Sequence, residues 1–96
     1  MKKYTVRYTA KFKRELKLAE RQKKNLDKLW AVVDKLAEGE ELEEKYQDHY
    51  LHGYYEGFRE CHLEPNWLLV YKIEDDVLTL TLSRLGSHSE VFKNKY

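Results

Sequence analysis

The sequence predicts an α+β fold with the element order β-α-α-β-β-β-β, a curved and mostly antiparallel sheet carrying two N-terminal antiparallel helices on one face. Three observations predict it. Apolar residues recur at helical spacing from Phe12 to Ala37. Side chains alternate apolar and polar at the start of the chain and again through its second half, and Glu64-Pro65-Asn66 marks a reversal inside that half.

Taken in order, Tyr4, Val6 and Tyr8 alternate with Lys3, Thr5 and Arg7, which predicts a short strand with one apolar face. Thr9 then offers a helix N-cap, and Phe12, Leu16 and Ala19 follow at helical spacing with basic residues between them. In the second helix Leu26, Leu29, Trp30, Val33, Leu36 and Ala37 share one stripe, and Gly39 supplies a C-cap. The two helices join near Lys23-Lys24-Asn25. Neither can bury its stripe alone, so both need the sheet. The acidic residues 40–48 read as a connection with little regular structure, ending in a polar loop or strand approach at Asp48-His49-Tyr50-Leu51-His52-Gly53. A weak strand is expected over 54–56.

The stretch from Gly57 to Lys72 is the centre of the fold. It reads as two strands folded about Glu64-Pro65-Asn66, where Pro fixes φ and Asn tolerates a left-handed turn. Alternation sends Phe58, Glu60 and His62 to one face and Arg59, Cys61 and Leu63 to the other. A carboxylate and an imidazole therefore look the same way, while Cys61 and Leu63 serve a core behind them. Glu74-Asp75-Asp76 turns the chain again, and residues 77–85 set Leu78, Leu80 and Leu82 against Thr79, Thr81 and Ser83. Gly86-Ser87-His88-Ser89 leaves as a loop, with Phe92 an apolar residue beyond it. With both helices on one side, the face carrying Glu60 and His62 is expected to stand open to solvent or a ligand.

Ninety-six residues make one domain, 1–96, able to bury roughly 60–65% of its unfolded surface. The net charge of +1 hides an asymmetry: residues 1–28 carry eleven Lys/Arg against three Asp/Glu, a local +8, which leaves −7 for residues 29–96. Lys11, Lys13, Arg14, Lys17, Arg21, Lys23, Lys24 and Lys28 would draw a polyanion. Charge count alone is better explained as a solvated helix face. The lone Cys61 excludes an internal disulfide and suits a reducing cytosol. No segment resembles a signal peptide or a membrane span, so a soluble cytoplasmic protein without a membrane partner is expected.

Four histidines, His49, His52, His62 and His88, lie on or near the ends of the expected strands. Each alone reads as a surface residue. Together with Glu60, Arg59 and Arg84 they resemble an acid–base site for phosphoester chemistry. Cleaving RNA through its own 2′-hydroxyl needs a base for that proton, an acid for the departing 5′-oxygen, and cations or donors facing the phosphorane. Two imidazoles of opposite protonation fill the first two roles near neutral pH without a metal. A zinc site is the competitor, but Cys61 and His62 are adjacent on a strand and point to opposite faces, and no second cysteine completes a structural site. Neither a Gly-x-Ser-x-Gly elbow nor a phosphate-cradling glycine loop is present.

Three separated motifs then resemble one family. Asp48-His49, Leu51 and Gly53, then Phe58-Arg59-Glu60-Cys61-His62-Leu63-Glu64-Pro65 with Trp67-Leu68-Leu69-Val70-Tyr71-Lys72, then Arg84-Leu85-Gly86-Ser87-His88-Ser89-Glu90-Val91-Phe92 are similar to the YafQ-like branch of the RelE/ParE toxin superfamily. The resemblance covers about half the chain by motif. It implies a RelE-like fold and the toxin of a bacterial type II toxin–antitoxin pair. Such a toxin enters the ribosomal A site and cuts mRNA with neither metal nor cofactor. The implied partners are a cognate antitoxin and the ribosome with mRNA, with no DNA bound by the toxin alone.

The resemblance places catalytic or substrate-contacting roles on His49, Glu60, His62, Asn66, His88 and Phe92. His49 or His62 would be the base and His88 the acid. Glu60 would orient or charge a neighbouring imidazole, and Phe92 would stack on a base or brace the terminal loop. Arg59 reads equally as a substrate contact or as a packing or carboxylate-pairing residue, and Arg84 is expected at the substrate. The basic helices would grip ribosomal RNA through Lys11, Lys13, Arg14, Lys17, Arg21, Lys24 and Lys28. One departure stands out: the family commonly has Asp where this chain has Asn66, and an amide can neither take a proton nor carry charge. Two alternatives remain, a ParE-like inhibitor of DNA gyrase that would not need the histidines, and an RNA-binding or regulatory module whose catalytic set has decayed.

Overall fold

Thr9 ends one element and begins the next. In the computed structural model, which describes residues 2–92, β1 (Thr5–Tyr8) runs into α1 (Ala10–Arg21). The Thr9 hydroxyl accepts from the Phe12 amide at 3.0 Å and donates to the Ser83 carbonyl at 2.7 Å. A cap of this kind is worth about 1 kcal/mol, and here it also ties the helix to the sheet. Asn25 caps α2 (Leu26–Ala37) through the Asp27 amide at 3.1 Å. The expected stripe is buried or packed on the core, with Val32 added to it. α2 ends ahead of Gly39, and the Ala37 carbonyl accepts from both Lys3 and Tyr4 amides, fastening the helix end to the start of β1.

The remaining strands are β2 (His49–Tyr50), β3 (Arg59–Glu64), β4 (Trp67–Glu74) and β5 (Thr79–Gly86). Their order in the sheet is β1-β5-β4-β3-β2, with β1 parallel to β5 and every other pair antiparallel. Both long helices pack on one face, where Phe12, Leu29, Trp67, Leu69, Tyr71 and Leu80 are among the buried side chains. The α+β architecture read from the sequence is the one observed.

Several local expectations are corrected. Residues 54–56 are not a strand: Gly53–Tyr55 forms a 3-10 turn that buries the Tyr55 ring against Phe58 and Phe92, and the strand before the hairpin is instead β2. The acidic connection contains a second 3-10 turn, Glu44–Tyr46. Residues 75–77 turn as well, leaving Val77 and Leu78 exposed ahead of β5. Among the described residues the non-glycine positions with positive φ are Lys23, Gln47 and Leu78, so Asn66 at the hairpin tip does not use the left-handed conformation. The register instead shifts between His62 and Glu64, which absorbs the twist of the turn.

The sheet face opposite the long helices is also not open. Leu68 and Val70 are fully buried there beneath Leu51, Tyr55, Val91 and Phe92. Val91 and Phe92 belong to α3 (His88–Phe92), read above as loop. Its start is a capping box: the Ser87 amide donates to Glu90 Oε1 at 2.8 Å, and the Glu90 amide to the Ser87 hydroxyl at 3.2 Å. The Ser-x-x-Glu spacing was the available signal. Gly86 lets α3 lie close, since a Cβ there would come within 3.0 Å of Glu90 Oε1. The segment 93–96, for which the sequence offered no role, lies outside the described residues.

Candidate active site

Alternation along β3 turns Glu60 and His62 toward the second sheet face, and the β2 pairing sets His49 directly opposite Glu60. Glu60 is 4% exposed. Its Oε1 lies 3.2 Å from His62 Nε2 and 3.5 Å from His49 Nε2, with the two ring centroids 6.5 Å apart. His49 Nδ1 donates to the Gln47 carbonyl at 2.6 Å, which fixes that ring from its other side. A buried carboxylate costs several kcal/mol unless it has polar partners, and here the two imidazole rings stand next to it. With His62 Nε2 turned to Glu60, its Nδ1 points away from the carboxylate.

A second group lies across β4. The His88 amide donates to Asn66 Oδ1 at 3.3 Å, and the His88 ring sits 4.9 Å from the ring of Phe92. Phe92 is only 5% exposed and meets Tyr55 edge-on at 5.6 Å. His62 pairs with Leu68 and Leu68 with Gly86, two residues before His88. The backbones of His62 and Gly86 are thus two strand spacings apart, roughly 10 Å. His49, Glu60 and His62 come together; His88, Asn66 and Phe92 form a separate group at the same end of the sheet. His52 is exposed between β2 and the following turn.

Both arginines are held by carboxylates. Asp48 takes Arg59 through both oxygens, at 2.8 and 3.2 Å, with the Tyr71 hydroxyl also bonded to Asp48 and the Arg59 guanidinium 4.4 Å from the Tyr50 ring. Hydrogen bonding to Asp48 raises the Arg59 pKa above its ordinary value despite partial burial. Arg84 is paired by Glu15 at 2.8 Å, bonds to the Tyr55 hydroxyl at 2.8 Å, and donates to the Val91 carbonyl at 3.1 Å. Its pKa is raised chiefly by the Glu15 bond. A bulge sets this up: Tyr71 pairs with Leu82 but Val70 with Arg84, so Ser83 is skipped and Arg84 joins the second face while Leu85 stays in the main core.

Of the basic residues, Lys11, Lys13, Arg14, Lys17 and Arg21 are exposed along α1, and Lys23 is exposed just after it. Lys28 pairs with Glu64 at 3.1 Å, and Lys24 is half-buried with its ammonium 5.8 Å from the Trp67 ring. A groove of about 400 Å³ lined by Lys28, Lys45, Tyr46, His62 and Pro65 opens beside His62. Among the described residues no set of three or more His, Cys, Asp or Glu side chains is arranged to hold a metal ion, and no helix is long and apolar enough to cross a membrane. Glu15, Tyr55 and Tyr71 were not singled out from sequence. For Glu15 a signal existed: it falls between Phe12 and Ala19 on the apolar stripe of α1, where a charge is out of place.

A sequence model described as "Bacterial toxin of type II toxin-antitoxin system, YafQ" matches residues 4–93. The chain belongs to the YafQ toxin family. Among YafQ relatives, the mRNA interferase toxin YafQ of Escherichia coli K12 is 33% identical over 88 residues, covering 91% of this chain and 94% of that protein. YafQ within the E. coli DinJ-YafQ toxin-antitoxin complex superposes with a TM-score of 0.86 at 32% identity, covering 94% of this chain and 98% of that one. A metal-bound toxin from Helicobacter pylori superposes at 0.88 with 46% identity, covering 93% and 99%. The YafQ resemblance carried by the three motifs is therefore correct, and the fold is that of the YafQ structures.

Proposed function

We propose that this YafQ-family toxin is a ribosome-dependent endoribonuclease that cuts mRNA in the A site by acid–base attack of the 2′-hydroxyl, without a metal. The observation that carries the reading is the buried Glu60 carboxylate 3.2 Å from His62 Nε2, with His49 on its other side. Glu60 orients both rings. His62 Nδ1 takes the 2′-hydroxyl proton, the 2′-oxygen bonds to phosphorus, and the bond to the 5′-oxygen breaks as protonated His88 delivers a proton to it. The products are a 2′,3′-cyclic phosphate and a free 5′-hydroxyl. The name mRNA interferase, borne by the E. coli relative, supports the reaction class.

Arg84 holds the site rather than the substrate, because its donors go to Glu15, Tyr55, Glu90 and Val91, and Arg59 serves the same end through its two-oxygen pairing with Asp48. Phe92 braces His88 rather than stacking on a base, since its ring is buried. The exposed cations of α1 grip ribosomal RNA, with an affinity that falls steeply with salt. A cognate antitoxin covers this surface in the cytoplasm, a reading supported by the complex that E. coli YafQ forms with DinJ.

Mapping transcript ends after induction, with and without ribosomes and with a chelator in vitro, tests target, reaction and metal dependence together. Cuts that require ribosomes, survive chelation and vanish in His88→Ala are expected. Unchanged cuts in His49→Ala, His62→Ala and His88→Ala alike, or gyrase inhibition with translation intact, would overturn the proposal.

A further inference from the structure

β1 pairs with β5 only as far as Leu82, because the chain turns away at Thr9 into α1. Beyond that point the edge of β5 needs another partner, and Glu15 provides it. Glu15 Oε1 accepts from the Leu85 amide at 2.9 Å, the backbone donor that a longer β1 would have satisfied. The same carboxylate takes the Arg84 guanidinium through both oxygens, Oε2 at 2.8 Å from Nη2 and Oε1 at 3.1 Å from Nε. Arg84 then reaches past the edge to the other face, where Nη1 donates to the Val91 carbonyl at 3.1 Å and Nη2 to the Glu90 carbonyl at 3.3 Å. These carbonyls lie in the last turn of α3, the helix that begins with His88 and ends with Phe92.

α3 has five residues, too few to hold a helix by its own hydrogen bonds. It is kept in place at its start by the Ser87–Glu90 capping box and at its end by Arg84. Arg84 in turn is aimed by Glu15, since a guanidinium with a bidentate carboxylate behind it is fixed in plane and direction. We infer that Glu15, on the N-terminal helix, is a positioning residue that sets the orientation of His88 and Phe92 through Arg84. The inference rests on the assignment of His88 as the acid only for its kinetic consequence. The geometric consequence stands apart from it.

The test compares wild type, Glu15→Gln and Arg84→Lys, with Asn25→Ala as a control that weakens the start of α2 without touching Glu15 or Arg84. Glu15→Gln keeps the shape and one acceptor but loses the charge; Arg84→Lys keeps the charge but loses the fork. By NMR, the His88 and Phe92 ring resonances should move in both variants while those of His49 and His62 stay in place. In ribosome-dependent cleavage, kcat should fall roughly ten- to hundredfold with KM unchanged, whereas Asn25→Ala should lower the melting temperature and leave kcat alone. Unmoved His88 and Phe92 resonances in the folded variants, equal movement of all four rings, or a loss confined to KM would overturn the inference. A wild-type protein that cuts no RNA would sink the endonuclease reading alone, and the NMR comparison would still decide the positioning role.

Discussion

Asp48 grips Arg59 with both carboxylate oxygens, and the residue that follows Asp48 is His49. β2 is only two residues long and lies at the edge of the sheet, so its paired hydrogen bonds alone hold it weakly. The Asp48–Arg59 pair, with the Tyr71 hydroxyl bonded to the same carboxylate, anchors that short strand from the opposite face. Arg59→Ala should therefore cost about 1–3 kcal/mol of stability, since both side chains are mostly shielded from water. Urea unfolding measures this, and a change within error would show that β2 is held by other means. Cleavage should fall as well, because His49 loses its fixed approach to Glu60.

Glu60→Gln separates charge from shape. The amide still fits between the two rings, so stability should change by no more than about 1 kcal/mol. Ribosome-dependent cleavage should drop by about 10²-fold or more, the scale of an impaired general base. Activity near the wild-type level would remove Glu60 from the mechanism.

Asn66 provides the converse case. Asn66→Asp keeps the acceptor for the His88 amide and puts a carboxylate beside it. A gain in kcat of roughly tenfold is expected, equivalent to about 1.4 kcal/mol of barrier. Asn66→Ala should lose the acceptor and reduce kcat. An aspartate variant no faster than wild type would show that this position serves the fold of the hairpin tip alone.

Alkaline pH should destabilise the protein in two steps. Burial pushes the Cys61 thiol well above its ordinary value, and burial with the Asp48 hydrogen bond does the same for the Tyr71 hydroxyl. In the unfolded chain these groups titrate near ~8.5 and ~10. Above those values the unfolded state binds fewer protons than the folded state, so stability falls as pH rises, by about 1.4 kcal/mol per pH unit for each group. Below about pH 8.5 the contribution is fully present. Urea melts from pH 7 to 11 should show the decline, with Tyr71→Phe flattening its upper part and Cys61→Ala its lower part. A profile that stays flat to pH 11 would contradict the burial of both groups.

The amino-acid order by itself determined the fold class, the two amphipathic helices and the hairpin. It also determined that Glu60 and His62 share a face while Cys61 and Leu63 serve the core. These follow from local periodicity, because a strand or helix face depends only on spacing along the chain. The Arg59 side chain on the core face, available to pair with a carboxylate, was legible in the same way.

Only the tertiary structure decided which side chains meet. His49 lies opposite Glu60 because of strand register, and Arg84 stands on the second face because Ser83 is skipped in the β4–β5 pairing. A register and a bulge are relations between distant strands, and no spacing within one strand encodes them. The covered second face and the place of Glu15 share this cause. α3 and the turn around Tyr55 bury Leu68 and Val70 only once the sheet exists, and Glu15 meets Arg84 only because β1 stops short of it.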